Sequence, residues 1–172
     1  MKIRSLAIVC ALLFSAGAWA QSSPTTAHAV IADASGKTLG TATLTQTAGG
    51  VQITAALTGL PAGTHAIHVH TVGKCEAPGF TTAGGHFNPD SKKHGMKNPE
   101  GSHAGDLPNF DAAGDGTAHI SVLASHATLG EGPNSLFHEG GTALVIHASA
   151  DDYMTDPAGN AGARIACGVI EK

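Results

Sequence analysis

Histidine supplies most of the chemistry available to this chain. In His68-Val69-His70 two imidazoles sit one residue apart. On an extended strand they project from the same face, while Val69 points the opposite way, towards a core. Such a pair is a two-point clamp for a metal ion, although alone it is a weak signal. The surroundings strengthen it. His65, His68, His70, His86, His94, His103 and Asp106 fall within about forty residues, and His147 closes the apolar run TALVIH. Imidazole suits copper and zinc, and a single carboxylate among imidazoles suits zinc better than magnesium or calcium. The stretch GGHFNPDSKKHG places His86 and His94 in a segment with neither helical nor strand periodicity. Paired glycines and an Asn-Pro turn there shape the backbone around the rings.

Something must hold these side chains in place, and the chain reads as all-β. VQITAALT puts Val51, Ile53, Ala55 and Leu57 on one face, and Ala27, Ala29 and Ile31 alternate with more polar neighbours. TLGTATLTQ, HAIHVH, TAHISVLA, GTALVIHAS and ARIACGVI are further strand candidates, separated by glycine-rich turns. No amphipathic helix and no internal repeat stands out. Two regions break the strand rhythm, from Thr71 to about Asn109 and from Asp151 to about Ala163. With few apolar side chains to anchor them, loops of this length need a staple, and a metal or a disulfide would serve.

Residues 1–20 read as a secretory signal, with Lys2 and Arg4 at the start, an apolar run from Leu6 to Phe14, and Ala18-Trp19-Ala20 as a cleavage site. Residues 21–172 then form one domain. Cys75 and Cys167 remain in the exported chain, which argues for one disulfide. It closes a loop of 92 residues and contributes about 4–5 kcal/mol in a chain-entropy account. Without the signal's two cations, seven Lys and Arg face 13 Asp and Glu, a formal −6. That balance argues against nucleic acid and an anionic membrane surface as partners.

HAIHVH, GGHFNPDSKKHG, GSHAGDLPN and GNAGARIACGVI, in this order, resemble the copper/zinc superoxide dismutase family in its secreted bacterial form. The resemblance runs from the first strand to Ile170. It implies a flattened eight-stranded antiparallel Greek-key barrel, a relative of the immunoglobulin-like sandwich, with two long functional loops. It implies one copper on His68, His70, His86 and His147, and one zinc on His86, His94, His103 and Asp106. His86 then bridges both ions and passes a proton to the departing peroxide. The resemblance also implies that Asp151 steadies one histidine of each set, that Arg164 attracts and orients superoxide, and that the Cys75–Cys167 bridge ties the loop to Arg164's strand. Lys74, Lys92, Lys93 and Lys97 lie in or beside the irregular regions and are candidates for raising the on-rate.

The sequence departs from the family in two places. DDYMTDPAGNAGAR is shorter than its counterpart in cytosolic eukaryotic members, and Ala158 stands where many have threonine. His28, His65, His119, His126 and His138 match no ligand position. Two rival readings are a copper- and zinc-binding barrel without turnover and a blue-copper carrier, which needs a cysteine thiolate on the metal. The expected location is the periplasm, with the extracellular space second and no membrane anchor in the mature form. A homodimer is left open.

Overall fold

The computed structural model describes residues 25–172, so the expected signal segment lies outside the described residues. Nine strands follow in order: β1 (Thr26–Asp33), β2 (Thr38–Thr47), β3 (Gly50–Leu57), β4 (Gly63–His65), β5 (Ile67–His70), β6 (Phe110–Ala112), β7 (Ala118–Ala124), β8 (Ala143–His147) and β9 (Arg164–Val169). A single 3-10 turn, Thr81–Ala83, is the only helical element among the described residues. None of these is a helix long and apolar enough to cross a membrane.

Seven strands form one antiparallel sheet in the order β5-β8-β9-β1-β2-β3-β7, and β4 pairs with β6. Only Ala66 separates β4 from β5, so the two are halves of one bent strand. β5 pairs with β8 and β4 with β6. β6 in turn leads straight into β7 through a turn in which the Ala113 N–H donates to the Thr117 carbonyl at 2.8 Å. The sheet thus curls back towards its starting edge. With β4 and β5 counted as one, the chain makes the eight passes that the resemblance implies. The non-sequential neighbours β5–β8, β9–β1 and β3–β7 give the Greek-key connectivity.

Alternation dictates what lies inside. Ala27, Ala29, Ile31, Leu44, Val51, Ile53 and Leu57 are buried in the main core, while Ala55 is only partly buried against it. Ile67, Val69, Leu144 and Ile146 point into the same core. The opposite side of β5 and β8 carries His68, His70, Ala143, Val145 and His147. That outer wall is also buried, because the loop from residue 71 to 109 covers it.

The loop is better anchored by apolar contacts than the sequence suggests. Phe80 and Ala83 pack on Ala143, Val145 and Cys167 in a second cluster outside the barrel, and Phe87, Ala104 and Leu107 join the main core. The expected disulfide joins Cys75 to Cys167 with an S–S distance of 2.01 Å, so one staple is covalent.

Candidate metal centre

β5 supplies the first two rings. Its residues pair with β8 as His68 opposite Val145 and His70 opposite Ala143, which sets both imidazoles on the outer wall. The third ring depends on an irregularity. The β8–β9 register shifts between Ile146 and His147, and His147 then lies opposite Arg164. A bulge of this kind re-aims a side chain at the end of a strand. The fourth ring comes from the loop. The Phe87 N–H donates to the Val69 carbonyl at 2.8 Å, the Val69 N–H to Gly105 at 2.9 Å, and the Gly105 N–H to Phe87 at 2.8 Å. This lacing brings His86 beside His70 and Asp106 beside His68. It requires glycine at 105, where a Cβ would collide with the Val69 carbonyl oxygen.

The result is two donor groups with one shared ring. One ligand atom from each of His68, His70, His86 and His147 falls in a cluster no more than 4.8 Å across, and the same limit holds for His86, His94, His103 and Asp106. Each ring of the first group outside His86 has its far nitrogen occupied. His68 Nε2 lies 2.9 Å from Asp151 Oδ2, His70 Nδ1 lies 2.9 Å from the Gly84 carbonyl, and His147 Nδ1 lies 3.3 Å from the Gly162 carbonyl. These acceptors fix tautomer and orientation and turn the remaining nitrogen inward. His70 Nε2 and His147 Nε2 consequently meet at 3.4 Å.

The second group centres on a carboxylate. Asp106 Oδ1 lies 2.9 Å from His86 Nδ1, 3.0 Å from His94 Nδ1 and 3.2 Å from His103 Nδ1. Its other oxygen accepts backbone N–H groups of Gly95 at 2.8 Å and His103 at 3.0 Å. Asp151 joins the groups, since its Oδ1 lies 3.0 Å from His94 Nε2 while Oδ2 holds His68.

Electrostatics separate the groups further. Burial, with the neighbouring rings, pushes His70 down to about 2 and His147 to about 3. Burial also brings the shared His86 to about 4, against an upward pull from Asp106. All three are neutral at physiological pH. Burial also opposes charge on His94, but hydrogen bonds and charge from Asp106 and Asp151 outweigh it and raise the ring to about 9. Burial works against ionisation of Asp106 and Asp151 as well. Their histidine partners nevertheless hold both carboxyls well below the usual carboxylate range.

The donor chemistry fits two ions. Among the described residues, three buried side-chain polar atoms have no partner, and two of them are His68 Nδ1 and His86 Nε2. A buried bare nitrogen is costly unless something binds it. An all-imidazole set suits copper, and three imidazoles with one carboxylate suit zinc.

Arg164 reaches over this wall from β9. Its two terminal nitrogens donate to the carbonyls of Phe80 at 2.7 Å and Gly84 at 2.6 Å. Both acceptors lie in the segment that the disulfide ties down, which leaves the fork half-buried and aimed.

The seven expected ligands and Asp151 converge here with Arg164 above them, whereas of the lysines Lys93 pairs with Asp156 at 3.4 Å and Lys97 lies over the Tyr153 ring. Of the other histidines, His65 is buried 2.8 Å from both the Pro61 and the His147 carbonyl oxygens. His138 stacks on Phe87, with ring centroids 5.4 Å apart. His28, His119 and His126 are exposed. The sequence reading missed Gly84 and Gly162, whose carbonyls orient two rings, and Asn109, which holds Asp151. The blue-copper reading is overturned, because both cysteines of the described residues are in the disulfide.

A family model for copper/zinc superoxide dismutase matches residues 38–170. The Cu-Zn superoxide dismutase 1 of Aquifex aeolicus strain VF5 is 52% identical over 165 residues, covering 95% of this chain and 96% of the relative. The crystal structure of a superoxide dismutase-like protein from Bacillus subtilis superposes with a TM-score of 0.79 at 38% identity, covering 83% of this chain and 96% of that one. The Cu/Zn superoxide dismutase from Brucella abortus superposes with a TM-score of 0.68 at 31% identity, covering 86% and 100% respectively. On sequence and on architecture alike, this chain belongs to the copper/zinc superoxide dismutase family.

Proposed function

We propose that this chain dismutates superoxide, with copper held by His68, His70, His86 and His147 and zinc by His86, His94, His103 and Asp106. Two superoxide anions and two protons yield one dioxygen and one hydrogen peroxide, one anion being oxidised and the other reduced. When bound, copper supplies one-electron exchange between its two oxidation states, while zinc contributes charge without redox chemistry.

The chain's own groups do the rest. Arg164 offers a permanently charged, preoriented fork to a small anion at the edge of the wall. His86 presents Nδ1 to the carboxylate group and Nε2 to the imidazole group, so Nε2 can hold or give up a proton beside the reacting anion while Nδ1 stays anchored. Asp151 keeps His68 and His94 aimed. The covering loop excludes bulk water from the rings, none of which is more than slightly exposed at its side chain. Mature protein beginning at Gln21 and residing in the periplasm fits the disulfide, which needs an oxidising compartment.

The observation that carries this reading is the shared ring: His86 belongs to both donor groups, its Nδ1 lies 2.9 Å from Asp106 Oδ1, and its Nε2 is buried without a partner. Metal analysis joined to a superoxide assay on purified mature protein tests it. Wild type is expected to hold one copper and one zinc and to consume superoxide, and His86→Ala to lose nearly all turnover. Wild type that binds both ions without consuming superoxide supports the rival reading, a metal-binding barrel.

A further inference from the structure

Asp151 is the side chain that touches both donor groups, so whatever fixes Asp151 fixes the relation between them. Its backbone lies in the second irregular region, where no strand pairing holds it. Asn109 does. The Asp151 N–H donates to Asn109 Oδ1 at 2.9 Å, and Asn109 Nδ2 donates to the Asp151 carbonyl at 2.9 Å. Accepting from an N–H and donating to the carbonyl of the same residue requires a carboxamide, which here copies one rung of a sheet.

Asn109 is itself rooted in the barrel. It precedes Phe110, which is buried and pairs with His65 across β4 and β6. Its own N–H donates to Tyr153 Oη at 2.7 Å, and the Tyr153 N–H returns to Asp151 Oδ1 at 2.6 Å. On the opposite side Gly159, at φ +63°, lies so close that a Cβ would collide with Asp151 Oδ1 and His94 Nε2. The carboxylate is enclosed from front and back.

We infer that Asn109 is a positioning residue for both metal sites, holding Asp151 and through it His68 and His94 in register. This rests on the metal-site reading above. Because Asp151 contacts one ligand of each group, releasing its backbone loosens both ions together.

The test uses full-length, metal-loaded protein and follows chelator-driven release of copper and of zinc separately. It adds the Cu(II) electron paramagnetic resonance spectrum and the visible spectrum of Co(II) placed in the zinc site. Asn109→Ala is expected to speed release of both ions about tenfold, the low end of the range for outer partners of metal ligands, and to shift both spectra. Asn109→Asp sets a carboxylate oxygen against the Asp151 carbonyl and is expected to do at least as much. Because it keeps the acceptor for the Asp151 N–H, it decides the question should the alanine variant fail to fold. Asn134→Ala removes a similar amide bond, to the His126 carbonyl at 2.9 Å far from the site, and is expected to match wild type. Wild-type release rates and spectra in the Asn109 variants overturn the inference, even if their melting temperature drops, and so does faster release of one ion alone. Wild type that holds neither ion sinks the metal-site reading itself.

Discussion

The two halves of the metal centre share His86 and differ in nearly everything else. The half built on β5 and β8 is all imidazole, anchored to barrel strands, and its rings His70 and His147 are neutral far below physiological pH. The half built on the loop gathers around Asp106 and contains His94, raised to about 9. The first needs no proton removed from those two rings to accept a cation. The second is a prepaired carboxylate and histidinium from which a cation must displace a proton. The difference teaches what each support contributes: the strand wall holds neutral rings ready for a cation, while on the loop a cation would replace the proton that now joins His94 to Asp106 and Asp151.

Removing Asp106 is the hardest blow to the comparison. Asp106→Ala leaves three rings and two backbone N–H groups without their acceptor, so zinc affinity is expected to fall more than about a hundredfold. Copper affinity is expected to stay within about tenfold, because His68, His70 and His147 keep their own acceptors. Competition against chelators of known affinity measures both. Equal losses of the two ions would erase the distinction between the halves. Asp151→Ala is expected to act on both, by about 10- to 100-fold each, since it removes the partner of one ring in each group.

The halves are expected to differ in proton release as well. At pH 7.5, zinc uptake displaces about one proton from His94, whereas copper uptake displaces none from His70 or His147. Calorimetry in buffers of different ionisation enthalpy reads the difference.

Stability of the metal-free protein follows the same division. His70, His86 and His147 titrate at about 2, 4 and 3 in the fold, against 6.5 when unperturbed. The unfolded chain therefore binds more protons below 6.5, and stability is lost as pH falls from there. Each ring contributes up to about 1.4 kcal/mol per pH unit. His94 has the opposite sign. Its contribution is complete below 6.5 and is lost as pH rises through about 9. Denaturant unfolding of apo protein is thus expected to show greatest stability near pH 6.5, and His147→Gln is expected to make the acid limb shallower.

Much of this was legible in the sequence because it is written in side chains. Every proposed ligand carries a distinctive residue type in a specific motif, and the period-two runs of β1 and β3 place their cores correctly. The missed parts are backbone or geometry. β6 is three residues long, too short for alternation to register. The bulge after Ile146, which sets His147 opposite Arg164, leaves no compositional mark. The acceptors that orient His70 and His147 are carbonyls of Gly84 and Gly162, and a carbonyl belongs to every residue. Phe80 and Phe87 stand in a loop without strand or helix period, and only the fold shows that they reach two different clusters. Asn109 stands in LPNF, where asparagine reads as a turn former.

The central claim is that the His86 ring faces two ions at once. Anomalous diffraction at the copper and zinc edges from crystals of the fully loaded protein tests it directly. The account expects two separate peaks, copper among His68, His70, His86 and His147 and zinc among His86, His94, His103 and Asp106, with the imidazole of His86 between them. A single peak, or two peaks with that ring touching only one or neither, would contradict it.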